Sequence, residues 1–376
     1  MANFTKLSFK KGELNKRLAD FFKGMMENRG VDAVLAPMTQ PKKGVMQTLV
    51  THPSHVEAID PFAPVVPVNG AKIASSITAA PSGRKVAMVL RSCEIRALVE
   101  LVKLKQVNLE DVLLIGIDCL GRYENLDFLT LRAQGETTES FLEKALKGET
   151  SLQGCDISTA CKICEFPVAD TVDLRLCIIG TGADALFLES LTPKGDKALQ
   201  MAGLGTGEVP AGRETAVKQL AKTRKEARDK EFAEHREATP SFDALEERLA
   251  ACVNCYNCRV ACPVCYCKEC VFVTDTFRHK GDQYMGWADT FGTLKMPTDT
   301  LFYHLTRMSH MSLFCVGCGQ CTSACPNDID LMPLFRTVAQ KTQARFDYQA
   351  GRSLEEKQPL TVYIHDEMVE VTGQVK

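Results

Sequence analysis

Eleven of the 17 cysteines fall between Cys252 and Cys325, and eight of these form two runs of the same spacing: Cys252-x2-Cys255-x2-Cys258-x3-Cys262-Pro263 and Cys315-x2-Cys318-x2-Cys321-x3-Cys325-Pro326. No other feature limits the possible folds so sharply. In such a run, three thiolates on one tight loop reach three irons of a 4Fe–4S cubane, and the proline turns the chain away after the fourth cysteine. In paired runs that fourth thiolate ligates the neighbouring cluster. The expected ligand sets are Cys252, Cys255, Cys258 and Cys325 for one cluster, and Cys315, Cys318, Cys321 and Cys262 for the other. Structural zinc is the competing use of close cysteines, but it pairs two short C-x2-C hairpins and needs neither the extra thiols nor the proline. Gly317 and Gly319 lie inside the second loop, where positive φ and close approach of backbone N–H to sulfur are useful. The first loop carries the bulkier Asn254, Tyr256 and Asn257.

The spacing is that of bacterial-type ferredoxins, so residues 246–340 are expected to form a mostly helical dicluster domain. Directly after the first run come Cys265, Cys267 and Cys270. Three thiols so close together point to a metal role, as most of a further cluster or as alternative ligands to the first, with buried packing as the plain alternative. The N-terminus, Met1-Ala-Asn-Phe-Thr-Lys-Leu, has no apolar signal segment, so a cytoplasmic location and reduced thiols are expected rather than a disulfide framework. No apolar run is long enough for a membrane span. Basic and acidic residues nearly cancel, 45 against 47, which argues against a nucleic-acid partner.

Residues 1–205 read as an α/β domain. Leu14, Leu18, Phe21, Phe22, Met25 and Met26 recur at helical spacing, and Gly30 stands where that helix should stop. Lys85-Val-Ala-Met-Val-Leu reads as a strand and Glu94–Leu104 as a helix. Val112–Asp118 and Leu174–Gly180 are short apolar strands of the doubly buried kind. Alternating strands and helices imply a largely parallel sheet. Ligands in such sheets gather at the carboxyl ends of strands, where Cys93 and Cys119 stand, and Cys155-x5-Cys161-x2-Cys164 precedes the third strand. The expected four-thiolate site is Cys93, Cys119, Cys161 and Cys164, with Cys155 as the alternative to one of the first two. It suits a third cluster, and by spacing alone a structural zinc fits it nearly as well. Cys177, in mid-strand, is expected to be packing.

Three segments in order, Arg91-Ser-Cys-Glu-Ile-Arg-Ala-Leu-Val-Glu-Leu, Ile115-Gly-Ile-Asp-Cys-Leu-Gly and Cys161-Lys-Ile-Cys-Glu-Phe-Pro, resemble the beta subunits of deazaflavin (coenzyme F-420)-linked hydrogenases and formate dehydrogenases and their bacterial relatives. The lead-in Phe302-Tyr-His-Leu-Thr-Arg-Met-Ser-His-Met before Cys315 is similar to the formate-dehydrogenase type in particular. The resemblance implies a flavoprotein subunit with FAD and a 4Fe–4S cluster in the α/β half. It also implies a partner chain that is the catalytic dehydrogenase or hydrogenase subunit, and exchange with ferredoxin, a deazaflavin or a heterodisulfide-reductase-like subunit. At Arg91-Ser-Cys-Glu the chain departs from the deazaflavin-reducing members, which usually carry a Thr-Pro-Cys-Gln-like segment; this puts the deazaflavin in doubt.

A dinucleotide motif is weaker. Gly180-Thr-Gly182-Ala-Asp-Ala185 fits G-x-G-x-x-A after a strand, but Thr192-Pro193-Lys-Gly cuts short the helix that it should open, and no clear acidic residue follows. Gly203-Leu-Gly-Thr-Gly207 reads as linker. Residues 206–245 form a charged helical linker, densest over Arg213–Glu237, where salt-bridged faces suggest a solvated helix. His304 and His310 flank the second run, where a histidine can hydrogen-bond a cluster sulfur or carry a proton, though the plainer expectation is an ordinary core or surface histidine; Arg307 is placed to raise a cluster potential by its charge. Residues 341–376 are a polar tail along the ferredoxin lobe. The expected function is an electron-transferring iron–sulfur flavoprotein beta subunit, with the primary substrate oxidised on another chain. The alternatives are a flavin-free relay and an NAD- or deazaflavin-reducing subunit.

Overall fold

The computed structural model describes residues 3–42, 44–182, 185–205 and 207–361. Seven strands form one mixed sheet: β1 (Asn3–Ser8), β2 (Ala33–Thr39), β3 (Val45–Val50), β4 (Val86–Arg91), β5 (Val112–Ile117), β6 (Leu174–Cys177) and β7 (Ala185–Ser190), in the order β1-β7-β6-β5-β4-β2-β3. The central four, β2, β4, β5 and β6, are parallel, while β3, β7 and β1 are added antiparallel at the two sides. Every residue of β4 and β5 is buried, as the unbroken apolar runs require when both faces are covered. Side chains alternate between two cores. Ala87, Val89, Leu113 and Ile115 face one layer with the Leu14–Glu27 helix, and Val86, Met88, Val112 and Leu114 face the other with the Ser92–Lys103 helix.

The largely parallel sheet expected from the sequence is parallel only at its centre. β6 runs into β7 as an antiparallel pair, so Gly180 and Gly182 lie in a hairpin connection and not at a strand-to-helix turn. Thr192-Pro193 does not break a helix; it starts one, Pro193–Met201, with the Thr192 side chain accepting from Gly195 N and proline in the first turn.

The second core also holds Val264, Met311, Val316, Tyr348 and Ala350, so the two cysteine-run loops pack directly on the sheet's helical layer. The Arg213–Glu237 helix is present over the charged stretch, solvated on most of its surface with the expected pairs Glu214–Lys218, Lys222–Glu226 and Lys230–Glu234, but it is also packed on the rest of the chain. Arg213, Arg224, Phe232 and His235 are buried along one face. The chain after the Leu331–Arg345 helix does not follow the cysteine-run lobe. It returns to the Ser92–Lys103 helix, where buried Glu100 accepts from Tyr348 Oη at 2.5 Å, Gly351 N at 2.7 Å and Gln358 Nε2 at 2.7 Å. Part of the tail, residues 362–376, lies outside the described residues.

Candidate metal centres

β4 and β5 end side by side, Arg91 opposite Ile117, and each delivers a cysteine two residues on, Cys93 and Cys119. The Cys161–Cys164 turn, at the end of the short Thr159–Lys162 helix, closes over them. Cys119 N donates to Pro167 O at 2.8 Å, which ties the two segments together. Cys93, Cys119 and Cys164 lie within electrostatic reach of one another, and Cys161 bears on Cys164. Burial first, then neighbouring negative groups, push the Cys164 thiol up to about 11. Cysteines become ligands as thiolates, and such a gathering of partly buried thiolates needs a cationic centre among them; no three of their sulfurs lie within 4.8 Å of one another, so the donor set suits the wider span of a cluster and not a single ion.

Arginines frame this front set. Arg91 Nη1 lies 3.6 Å from Cys119 Sγ, and Arg224 donates to the Cys119 and Leu120 carbonyls at 3.1 and 2.8 Å. Arg122 lies near Cys161 and Cys318. Cys155 is not brought to this set. It sits in a narrow bridge with Leu152, neighboured by Asp127. Cys177 is fully buried and packs with Phe4, Ala185 and Phe187.

The two runs place their thiols in the crossed arrangement. Cys252, Cys255, Cys258 and Cys325 line a single cavity with Tyr303, His304, Pro326 and Leu331. Cys262, Cys315, Cys318 and Cys321 form a second, half-buried group, in which Cys321 feels the other three and Cys318 feels Cys262 and Cys315. Burial, then Cys262, push the Cys318 thiol up to about 12. Gly317 and Gly319 take φ of 72° and 77°, the conformation for which glycine is suited. Cys265 and Cys267 share a polar cleft with Lys72, Ser75, Arg259 and Tyr266. Cys270 lies apart from it, packed against the aromatic cluster of Phe272 and Tyr303. The three thiols are therefore split between two environments.

Two neighbours on one helix stand against the sulfurs, Tyr303, which the sequence did not single out, and His304, for which it left a sulfur partner as the alternative to ordinary packing. Tyr303 Oη lies 3.3 Å from Cys258 Sγ, and His304 Nε2 lies 3.3 Å from Cys252 Sγ. Burial, then Arg307 and Lys295, hold His304 down to about 4, so its ring is neutral. His310 is exposed. At Gly180, a Cβ would lie 2.7 Å from Arg213 Cα. Arg213 is held there by a two-pronged pair with buried Asp118, at 2.6 and 2.9 Å, and Asp118 also accepts from Ile178 N and Ile179 N. The connection is thus packed shut by the long helix, not opened as a phosphate cradle; the intervening Ala183 and Asp184 lie outside the described residues.

The three sets lie within electrostatic reach of one another in series. Cys93 of the front set is close to Cys318 of the second, while Arg307 bears on Cys258 of the first set and on Cys262 and Cys321 of the second. Sixteen of the 17 cysteines were expected at metal sites; twelve are gathered in these three groups of four.

A mixed α/β sheet carrying thiolate sets of this kind defines an iron–sulfur protein. Over nearly its whole length the chain is similar to known beta subunits. It is 26% identical to the "F420-dependent formate dehydrogenase subunit beta" of Methanocaldococcus jannaschii, over 91% of this chain and 93% of that one. It is 27% identical to the "F420-dependent formate dehydrogenase 1 subunit beta" of Methanococcus maripaludis, over 91% and 92%. The resemblance drawn from Arg91-Ser-Cys-Glu, Cys161-Lys-Ile-Cys and the cysteine runs is to this same group. No family profile matches the chain. A solved structure, a xenon derivative of the F420-reducing nickel–iron hydrogenase complex of Methanosarcina barkeri, aligns at 15% identity over 63% of this chain and 92% of that one, with a TM-score of 0.43, too low to carry weight. No helix among the described residues is long and apolar enough to cross a membrane.

Proposed function

We propose that the chain is the electron-transferring beta subunit of an oxidoreductase complex of the formate dehydrogenase or hydrogenase type. The supporting observation is the serial electrostatic proximity of three four-thiol groups, front to second through Cys93 and Cys318, second to first around Arg307. Bound there, 4Fe–4S clusters would supply one-electron carriers. The chain's own residues do the rest. The twelve cysteines hold the carriers, and Tyr303 and His304 stand at hydrogen-bonding distance from Cys258 and Cys252. The packed Phe272, Tyr303 and Phe335 cover the inner side of the first set around Cys258, while Cys255 faces solvent. The beta-subunit relatives support a catalytic partner chain that oxidises the primary substrate, and a deazaflavin, ferredoxin or heterodisulfide-reductase-like subunit at the other end.

FAD enters this reading from the family resemblance; a flavin would join two-electron hydride chemistry to one-electron carriers. The closed turn at Gly180 favours a second reading, a flavin-free relay, for that element at least. Anaerobic purification separates the two. The first requires flavin absorbance that bleaches on reduction together with about 12 iron atoms per chain for three cubanes. Full iron without flavin leaves the relay, and iron near about 8 removes the front cluster from both.

A further inference from the structure

We propose that Arg307 is a shared counter-charge for the two sets in the cysteine runs, a positioning residue that draws electrons onto both. The inference rests on reading those sets as cluster ligands. The Thr300–Met311 helix turns one stripe toward the sulfurs. Tyr303 and His304 meet Cys258 and Cys252 of the first set at 3.3 Å each, and Met311 Sδ lies 3.9 Å from Cys262 Sγ of the second. One turn separates Arg307 from Tyr303 on one side and from Met311 on the other. Its Nη2 donates to Cys258 O at 3.1 Å, and its charge reaches Cys258, Cys262 and Cys321.

Nothing in the protein alone explains this cation. Arg307 is 5% exposed, and its Nε and Nη1 have no hydrogen-bond acceptor. No carboxylate pairs with it among the described residues. Arg213, Arg175 and Arg336 have one, Asp118, Glu189 and Glu165, and the buried arginines that share its lack of one, Arg91, Arg96 and Arg224, likewise stand near cysteines of the front set. The guanidinium lies 4.7 Å from the Phe335 ring centre and 5.7 Å from that of Tyr303, which shields it from water. Arginine does not shed its proton, so a buried guanidinium with free N–H groups requires an anionic acceptor. The sulfur centres on either side are anionic, and each becomes more so on reduction. A fixed positive charge in a low-dielectric site favours the more negative, reduced form and so raises the reduction potential. The front set has its own arginines, Arg91, Arg122 and Arg224.

The test is a reductive titration of the full chain, followed by electron paramagnetic resonance under anaerobic conditions, with iron measured on the same samples. Arg307→Met removes the charge at similar bulk, and Arg307→Lys keeps it. Arg307→Met is expected to shift both cysteine-run signals toward the oxidised form by about tenfold, about 59 mV for a one-electron couple, and to leave the front signal in place. Arg307→Lys is expected to stay within about threefold of the natural chain. Full iron with unmoved potentials in Arg307→Met overturns the inference and leaves the cluster reading standing. If Arg307→Met takes up no iron at these sets, Arg307→Lys decides: full iron with near-natural potentials supports the inference, whereas lost iron or a tenfold shift overturns it. Too little iron in the natural chain to fill these two sets instead overturns the cluster reading itself.

Discussion

Gly319 shows how tightly the second cysteine loop is held. At φ 77°, a Cβ added there would lie 2.5 Å from Ala160 Cβ of the front lobe. Gly319→Ala therefore meets both a left-handed backbone penalty and an overpacked contact, and is expected to destabilise the chain by about 2 kcal/mol or more. Denaturant unfolding checks this, and an unchanged midpoint would mean that the lobes do not meet there. The thiols separate by the same logic. Cys161→Ser should cost the front cluster alone, whereas Cys155→Ser should leave the iron content unchanged, because Cys155 sits apart in its bridge with Leu152; iron analysis of both variants compares them. The cysteine spacing and the two loop glycines were legible in the sequence because cluster loops leave a fixed local pattern. Tyr303 was not, and for His304 the sulfur partner was one alternative beside ordinary packing. On a helix their spacing is that of core packing, and only the fold carries Cys258 and Cys252 to them.

At the scale of elements, the Arg213–Glu237 helix is a brace. Its charges alternate along the sequence, and nothing local distinguishes Arg213, Arg224 and Arg228 from the solvated residues between them, since their acceptors come from distant segments. Glu165, next to Cys164, joins three elements by accepting from Arg228 of this helix and Arg336 of the Leu331–Arg345 helix, both at 2.7 Å. Burial pushes the Glu165 carboxyl up, but Arg336, Arg228 and Arg96 outweigh it and leave it below its ordinary value. A depressed carboxyl contributes stability that is complete above the unfolded value of about 4.3 and is lost as pH falls through the folded one. Glu165→Gln is expected to destabilise the chain by about 3–5 kcal/mol at neutral pH, and the gap from the natural chain should narrow below about pH 4.3. Unfolding curves across that range check the sign, and a gap that widens on acidification would contradict it. The strands were legible because β4 and β5 are buried on both faces and so unbroken in apolar character. The antiparallel β7 and the helix start at Thr192-Pro193 were not, since a glycine-rich turn reads alike before a helix and before a hairpin.

Across the whole molecule, the expectation of two lobes in series gives way to a fused body in which Val264, Val316 and Tyr348 complete a core begun by β2, β4 and β5. The sequence could place each thiol run but not the distance between runs, because the electrostatic proximity of Cys93 and Cys318 joins segments far apart in the chain. That proximity arranges the separate sites in a line. A chain with one continuous path should carry all three clusters together, and losing the front ligands should shorten the path without dismantling the rest. The most direct measurement is iron per chain, determined anaerobically on the natural protein and on Cys161→Ser. The account predicts about 12 iron atoms falling to about 8, with the signals of the two cysteine-run clusters intact. About 8 iron atoms in the natural chain, unchanged by the substitution, would contradict it.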